Sequence, residues 1–209
     1  MPIRTASKYL LFTVVFGCSL TVFAQDRQPI GVVLTAKGKV EARDEDGVVR
    51  PLTRRAEIFE GDTILVDAQG FTQLRMADNG KISLTPNTSL SLNSFKFDGD
   101  PQTPDSFTMS LLSGGLRTIT GSIGDSTADE YRLDTPVASI NSVGTTYGVQ
   151  LVNGTLYATV STGGIIVSNG AGNLAMGIGS DWDYSVTKPG EAPLGLIDAP
   201  TALVTLDPF

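Results

Sequence analysis

From Gly31 onward the chain alternates apolar and polar residues in short runs, and glycine, proline, asparagine or aspartate breaks them. An alternation of period two puts successive side chains on opposite faces, so it predicts half-buried strands rather than helices. The clearest runs are Phe71–Met76, Ile82–Leu84, Leu90–Phe97 and Phe107–Leu111. Tyr131–Leu133, Tyr147–Leu151, Leu156–Val160 and Ile165–Val167 behave in the same way. Asp78-Asn79-Gly80, Asn153-Gly154 and Asn169-Gly170 supply residues that tolerate positive φ, as tight hairpin turns require. No long stretch carries helical periodicity. The expected fold is therefore all-β, either an antiparallel sandwich or a short β-solenoid-like stack of hairpins, with roughly a dozen strands and little helix.

One internal echo bears on that choice. Laying Phe107–Gly121 over Leu156–Gly170 aligns Ser113-Gly114-Gly115-Leu116 with Thr162-Gly163-Gly164-Ile165, each preceded by an alternating strand. Read as a repeat, it suggests stacked strand-turn-strand units. Asp98–Asp105 holds two prolines and three aspartates and reads as a solvent-exposed loop. Past Asp183 the alternation fades, so residues 25–183 form the expected β domain and 184–209 an irregular tail.

The N-terminus has a different pattern. Arg4 and Lys8 precede an uncharged apolar run from Tyr9 to Ala24, and the polar Gln25-Asp26-Arg27-Gln28 follows at once. This is the layout of a cleavable signal peptide over residues 1–24, with cleavage expected after Ala24. As a helix, that run reaches only about 24 Å at ~1.5 Å per residue, short of a hydrocarbon core of about 30 Å. An uncleaved anchor and lipid attachment at Cys18 are the alternatives; Phe16 is bulky for a lipoprotein signal. The expected location is the bacterial periplasm or the medium, with no transmembrane span once the leader is removed.

Composition then removes chemistry. Cys18 is the single cysteine and the chain has no histidine. After cleavage no disulfide, thiolate nucleophile, Ser-His-Asp triad or Cys/His zinc site is possible. Without Arg4 and Lys8 the basic residues fall from 15 to 13 against 22 acidic ones, so the mature charge is 13 − 22 = −9. Nucleic acid is a poor partner for such a surface.

Several ordered segments resemble the FecR domain family of bacterial exported and envelope proteins. Gly38-Lys-Val40, Leu52 and Glu60-Gly61-Asp62-Thr-Ile64 are similar to the family's short strand and Gly-Asp turn. Leu74–Gly80 and Leu84-Thr-Pro-Asn-Thr-Ser-Leu90 match its strand, Asp-Gly turn and Pro-Asn-Ser segment. Leu111-Leu-Ser-Gly-Gly115-Leu-Arg117, then Tyr131-Arg-Leu-Asp-Thr135-Pro136-Val-Ala138, then Gly144-Thr145-Thr-Tyr147 are the most specific. One departure is Val143, where the family often has arginine before the Gly-Thr pair. The resemblance implies an all-β extracytoplasmic domain, which in the family's best-known members relays a signal from an outer-membrane transporter to a cytoplasmic sigma factor. Those members carry a cytoplasmic region; here only eight residues precede the apolar run, too few to grip a sigma factor.

Gly61, Asp62, Gly115, Arg117, Thr135, Pro136, Gly144 and Thr145 are read as structural, since proline marks a strand start or edge and glycine a bulge. The acidic clusters offer weak calcium candidates, Asp98, Asp100, Asp181 and Asp183, although none matches an EF-hand loop. Trp182 and Tyr184 are read as capping the β core, with an aromatic platform for a sugar or peptide as the alternative. No cofactor is expected. The chain is read as a non-enzymatic binding or scaffolding module of the cell envelope whose partner is an envelope protein or polysaccharide. The alternatives are a membrane-anchored signalling regulator and a carboxylate-based polysaccharide-active enzyme.

Overall fold

The computed structural model describes residues 27–98, 103–125 and 130–206. The leader read over residues 1–24, and Asp100, lie outside the described residues. The strands are β1 (Pro29–Lys37), β2 (Val40–Arg43), β3 (Val49–Pro51), β4 (Glu57–Phe59), β5 (Thr63–Val66), β6 (Phe71–Met76), β7 (Lys81–Leu84) and β8 (Ser89–Lys96). They continue with β9 (Ser106–Ile119), β10 (Tyr131–Asp134), β11 (Ser139–Val152), β12 (Thr155–Asn169), β13 (Gly172–Gly177), β14 (Tyr184–Thr187) and β15 (Leu194–Leu196). Two short 3-10 turns, η1 (Ser122–Asp125) and η2 (Thr201–Leu206), complete the elements. The fold is all-β.

The strands join one continuous hydrogen-bonded sheet, mixed because β9 and β10 run parallel. Its register divides into two layers. The first runs β15-β14-β12-β11-β9-β7-β6-β1-β4 and uses residues 156–159, 146–152 and 114–119 of the three long strands. The second runs β13-β12-β11-β10-β9-β8-β5-β2-β3 and uses residues 164–169, 139–143 and 106–113 of the same strands. Strands β9, β11 and β12 thus belong to both layers. The sheet folds back on itself into a sandwich with open sides.

Each long strand bends at a glycine with positive φ: Gly114 in β9, Gly144 in β11 and Gly163 in β12. Gly114 pairs with Leu151, and Thr146 with Ile119, so β9 turns over at one end of the sandwich and β11 at the other. Strand β12 bends at the same end as β11, since Val143 pairs with Gly164. At these corners the buried set slips by one residue. Phe107, Met109 and Leu111 point inward before Gly114, and Leu116 and Thr118 after it; Leu156, Ala158 and Val160 give way to Ile165 and Val167. One extra residue per corner, as in a bulge, keeps the apolar set inside while the strand changes layer.

The core between the layers draws on both. Ile58, Leu74, Leu84 and Val149 of the first layer and Leu90, Met109, Leu133 and Ile140 of the second are fully buried in one cluster. Phe95, Phe107 and Tyr131 stack edge to face at centroid distances of 5.2 and 5.4 Å. Thr118 Oγ1 lies 2.8 Å from Tyr131 Oη and ties the first layer to the second.

Four details depart from the sequence reading. The Gly-Gly echo is one corner device used at opposite ends of the sandwich, not a stacked repeat. The Asn169-Gly170 turn uses no positive φ; Asn169 Oδ1 instead accepts from the backbone N–H groups of Ala171 and Gly172 at 2.9 and 3.2 Å. In β6 it is Thr72, not Phe71, that shares the inner face with Leu74 and Met76, and Thr72 Oγ1 donates to the Thr35 carbonyl at 2.9 Å. The stretch read as an irregular tail contains β14 and β15, which extend the first layer, and η2, which packs on β9, β11 and β12.

The corner geometry sets a clear stability expectation. A Cβ at Gly163 would overlap the Gly144 carbonyl oxygen and would have to adopt φ +78°. Gly163→Ala is expected to cost about 3 kcal/mol or more in urea-induced unfolding, whereas Gly170→Ala should stay within about 0.5 kcal/mol. Gly170 has open space around its Cβ position.

Candidate functional site

Apart from Arg117, which lies on the outer face of β9, the motif residues lie at corners and clasps. Gly61 adopts φ +83° and its N–H donates to Leu92 O at 2.8 Å, while Leu92 N–H donates back to Asp62 O at 2.9 Å. Asp62 is fully buried, and its carboxylate accepts from Arg50 Nη1 at 2.9 Å, from Arg50 Nη2, and from Phe59 N at 2.8 Å. The Arg50 guanidinium also lies 5.2 Å from the centre of the Phe59 ring, and Arg27 lies 5.6 Å from it. This clasp joins β3 to the β4–β5 turn along one open side.

Thr135 closes its own turn. Its Oγ1 donates to Ala138 O at 2.7 Å and accepts from Ala138 N at 3.1 Å. Pro136 sits in that turn beside a surface recess of about 370 Å³ whose far wall is Pro189 and Gly190. Buried Thr145 ties β11 to β12 and to the residue that follows β9: its N–H donates to Thr120 Oγ1 at 2.9 Å, and its Oγ1 reaches Val143 O at 2.6 Å and Gly164 O at 2.8 Å. At the opposite corner Gly115 N donates to Thr88 Oγ1 at 3.0 Å, and both Thr85 Oγ1 and Thr88 Oγ1 donate to Gly115 O at 3.1 and 3.0 Å. Val143, where the family often has arginine, is 39% exposed on the outer face of β11.

A buried polar group closes the end of the sandwich nearest the β6–β7 turn. Asp78 is 1% exposed; its carboxylate accepts from Gly80 N at 3.0 Å and Ile123 N at 3.4 Å, which holds η1 against that turn. Burial raises the Asp78 carboxyl above its ordinary range, the backbone donors of Gly80, Ile123 and Asp78 itself oppose that, and Asp105 adds to it. Burial likewise raises the hydroxyls of Tyr131 and Tyr147, well beyond the physiological range.

The calcium candidates do not converge among the described residues. Asp181 and Asp183 are both exposed, and the Asp98 backbone N–H donates to Asp105 Oδ1 at 3.3 Å. No group of three or more metal-ligating side chains forms among the described residues. Trp182 is half-buried against the core, with its indole lying on the backbone of Gly195 in β15.

Sequence reasoning missed a charged face. Arg75 of β6 and Lys81 of β7 are directly opposite in register, so both side chains leave the outer side of the first layer, and both are exposed. Lys81 is opposite Ile119 and Ser83 is opposite Arg117, which places Arg117 on the same face one strand further on. Lys37 extends the face at the other side through its pairing with Phe71. Glu57, opposite Val32, is the one acidic side chain on this face along the described strands. A recess of about 260 Å³ adjoins it, lined in part by Gly31, Val32, Arg75 and Asn79. Part of the signal was local: the Asn79 turn fixes the hairpin register, and that register sets Arg75 against Lys81.

A two-layer β-sandwich with Gly-Asp, Gly-Gly-Leu-Arg, Thr-Pro and Gly-Thr segments at its clasps and corners is the class defined so far. Residues 62–165 match the family model described as FecR protein, and over that span the chain is a FecR domain. Two crystal structures of a candidate anti-sigma factor from Parabacteroides distasonis, at 1.65 and 2.50 Å resolution, are similar to it. They are 13% and 12% identical, with TM-scores of 0.48 and 0.50. Each likeness covers 68% of this chain and 61% of the other. No curated protein matches. Among the described residues no helix is long and apolar enough to cross a membrane.

Two measurements follow from the buried carboxylates. Arg50→Ala leaves the Asp62 carboxylate buried without its cation, and urea denaturation should show a loss of about 2–4 kcal/mol. Asp78 gives a pH signature of opposite sign to a paired carboxylate. Its folded-state affinity for the proton exceeds that of the unfolded chain, whose ordinary value is near 3.8. Its contribution is therefore complete below that value and declines as pH rises through the raised one. Unfolding midpoints measured upward from about pH 3.5 should show this decline in the native protein and lack it in Asp78→Asn.

Proposed function

We propose that this chain is an exported binding module of the cell envelope, non-enzymatic and of FecR type. The observation that carries the reading is the placement of the motif residues: Asp62, Gly115, Thr135, Gly144 and Thr145 are spent on clasps and corners of the sandwich. What the domain offers a partner is then its outer sheet faces and open sides, where backbone groups and side chains remain available. The FecR match supports a role at the envelope, and the N-terminal layout of charge, apolar run and small residue at Ala24 supports export.

A second reading, an envelope signalling regulator anchored by its apolar segment, draws on the FecR match and on the fold shared with the candidate anti-sigma factor. The two differ in the fate of residues 1–24. Intact mass and cell fractionation of the protein from its own cell separate them. A soluble exported species starting at Gln25 is the expected result. A membrane-bound species starting at Met1 would overturn the free-module reading in favour of the anchored regulator.

A further inference from the structure

We propose that the outer face of the first layer, centred on Arg75 and Lys81, binds a carboxylate-bearing polysaccharide. The proposal deepens the binding-module reading and rests on it. Its first ground is charge. The chain carries a formal charge of −7, yet Lys37, Arg75, Lys81 and Arg117 share one sheet face with Glu57 as the acidic counterpart.

The second ground is that the two central cations are set against each other. Arg75 and Lys81 occupy directly opposed positions on adjacent antiparallel strands, an arrangement that repels. Neither forms an ion pair with an acidic group among the described residues, whereas Lys39, Arg50, Arg132 and Lys188 each do. The fold does not need this pairing, because any polar residue satisfies an outward strand position. An anion laid between the two would convert the repulsion into a bidentate site.

The third ground is the row of side chains next to the cations. Gln73 and Ser83 form the next row on the same face; Ser83 is buried and its Oγ accepts from Gln73 Nε2 at 3.3 Å, which holds the half-buried Gln73 amide in place beside the cations. Thr35 continues the row opposite Gln73. Thr35, Gln73 and Arg117 thus set a hydroxyl, an amide and a cation in a row about 7 Å along the strands from Arg75 and Lys81, and a chain that alternates carboxylates with hydroxyls can meet both rows. Such a chain brings a hydroxyl partner for Thr35 and Gln73 with every carboxylate. The recess beside Arg75 gives a sugar ring a place to enter.

The test is affinity electrophoresis of the protein, expressed with its own leader and purified, in gels containing alginate, poly-L-glutamate or dextran at low salt. Alginate should retard the native protein, dextran should not, and the retardation should vanish by about 0.5 M salt, where screening is nearly complete. Arg75→Gln with Lys81→Gln should weaken alginate binding about tenfold with no fall in the thermal midpoint. The charge-matched pair Lys39→Gln with Lys188→Gln should leave binding unchanged. Equal loss in both pairs would overturn the site, poly-L-glutamate held as tightly as alginate would overturn the polysaccharide assignment, and no retardation by alginate would overturn the proposal. Failure here leaves the mass and fractionation result untouched, so the two readings fall separately.

Discussion

Everything in this sandwich depends on three strands passing from one layer to the other. A strand that changes layer must bend sharply without losing its buried face, and a side chain at the bend would meet the neighbouring backbone. Gly114, Gly144 and Gly163 meet that demand with positive φ, and the buried set slips by one residue at each corner. Because β9 crosses at one end and β11 and β12 at the other, the layers are covalently joined at both ends. The core is then confined between surfaces that cannot slide apart.

Corners leave backbone groups without ladder partners, and buried polar groups are costly unless bonded. Short hydroxyl side chains solve this locally. Thr85 and Thr88 serve Gly115, while Thr120 and Thr145 serve the corner of β11 and β12. Asp78 does the same for the turns at the closed end, at the expense of burying a carboxyl. Motif identity and corner geometry are therefore the same fact: these residue types recur because the bends need a small backbone unit and a hydroxyl or carboxylate beside it.

The sequence exposed much of this and concealed a specific part. Period-two alternation marks the strands because each has one face on the core, and the Asn153-Gly154 hairpin is visible because both residues adopt positive φ. The Gly-Gly echo was visible, but its meaning was not, since a corner and a stacked repeat bury the same alternate residues. Strands β14 and β15 escaped notice because the buried positions of Tyr184–Thr187 are the polar Ser185 and Thr187, and Leu194–Leu196 has a glycine at its centre. For the charged face, Arg75 opposite Lys81 follows from one local turn, but Arg117 joins them only through the pairing of β7 with β9 across a long span of chain. Long-range register of that kind is not written in any local window.

Where function can reside follows from the same constraint. A buried position in this fold is dictated by packing, and a corner position by backbone geometry, so neither is free to vary with a partner. Outward strand positions are different: the sheet requires only that they be polar. Cations at Arg75 and Lys81 oppose each other at a distance where Coulomb repulsion in water is of order 1 kcal/mol, and salt screens it further. That cost is small enough for the fold to carry and is removed when an anion bridges the pair. The residues least needed by the fold are thus the ones placed to recognise something outside it.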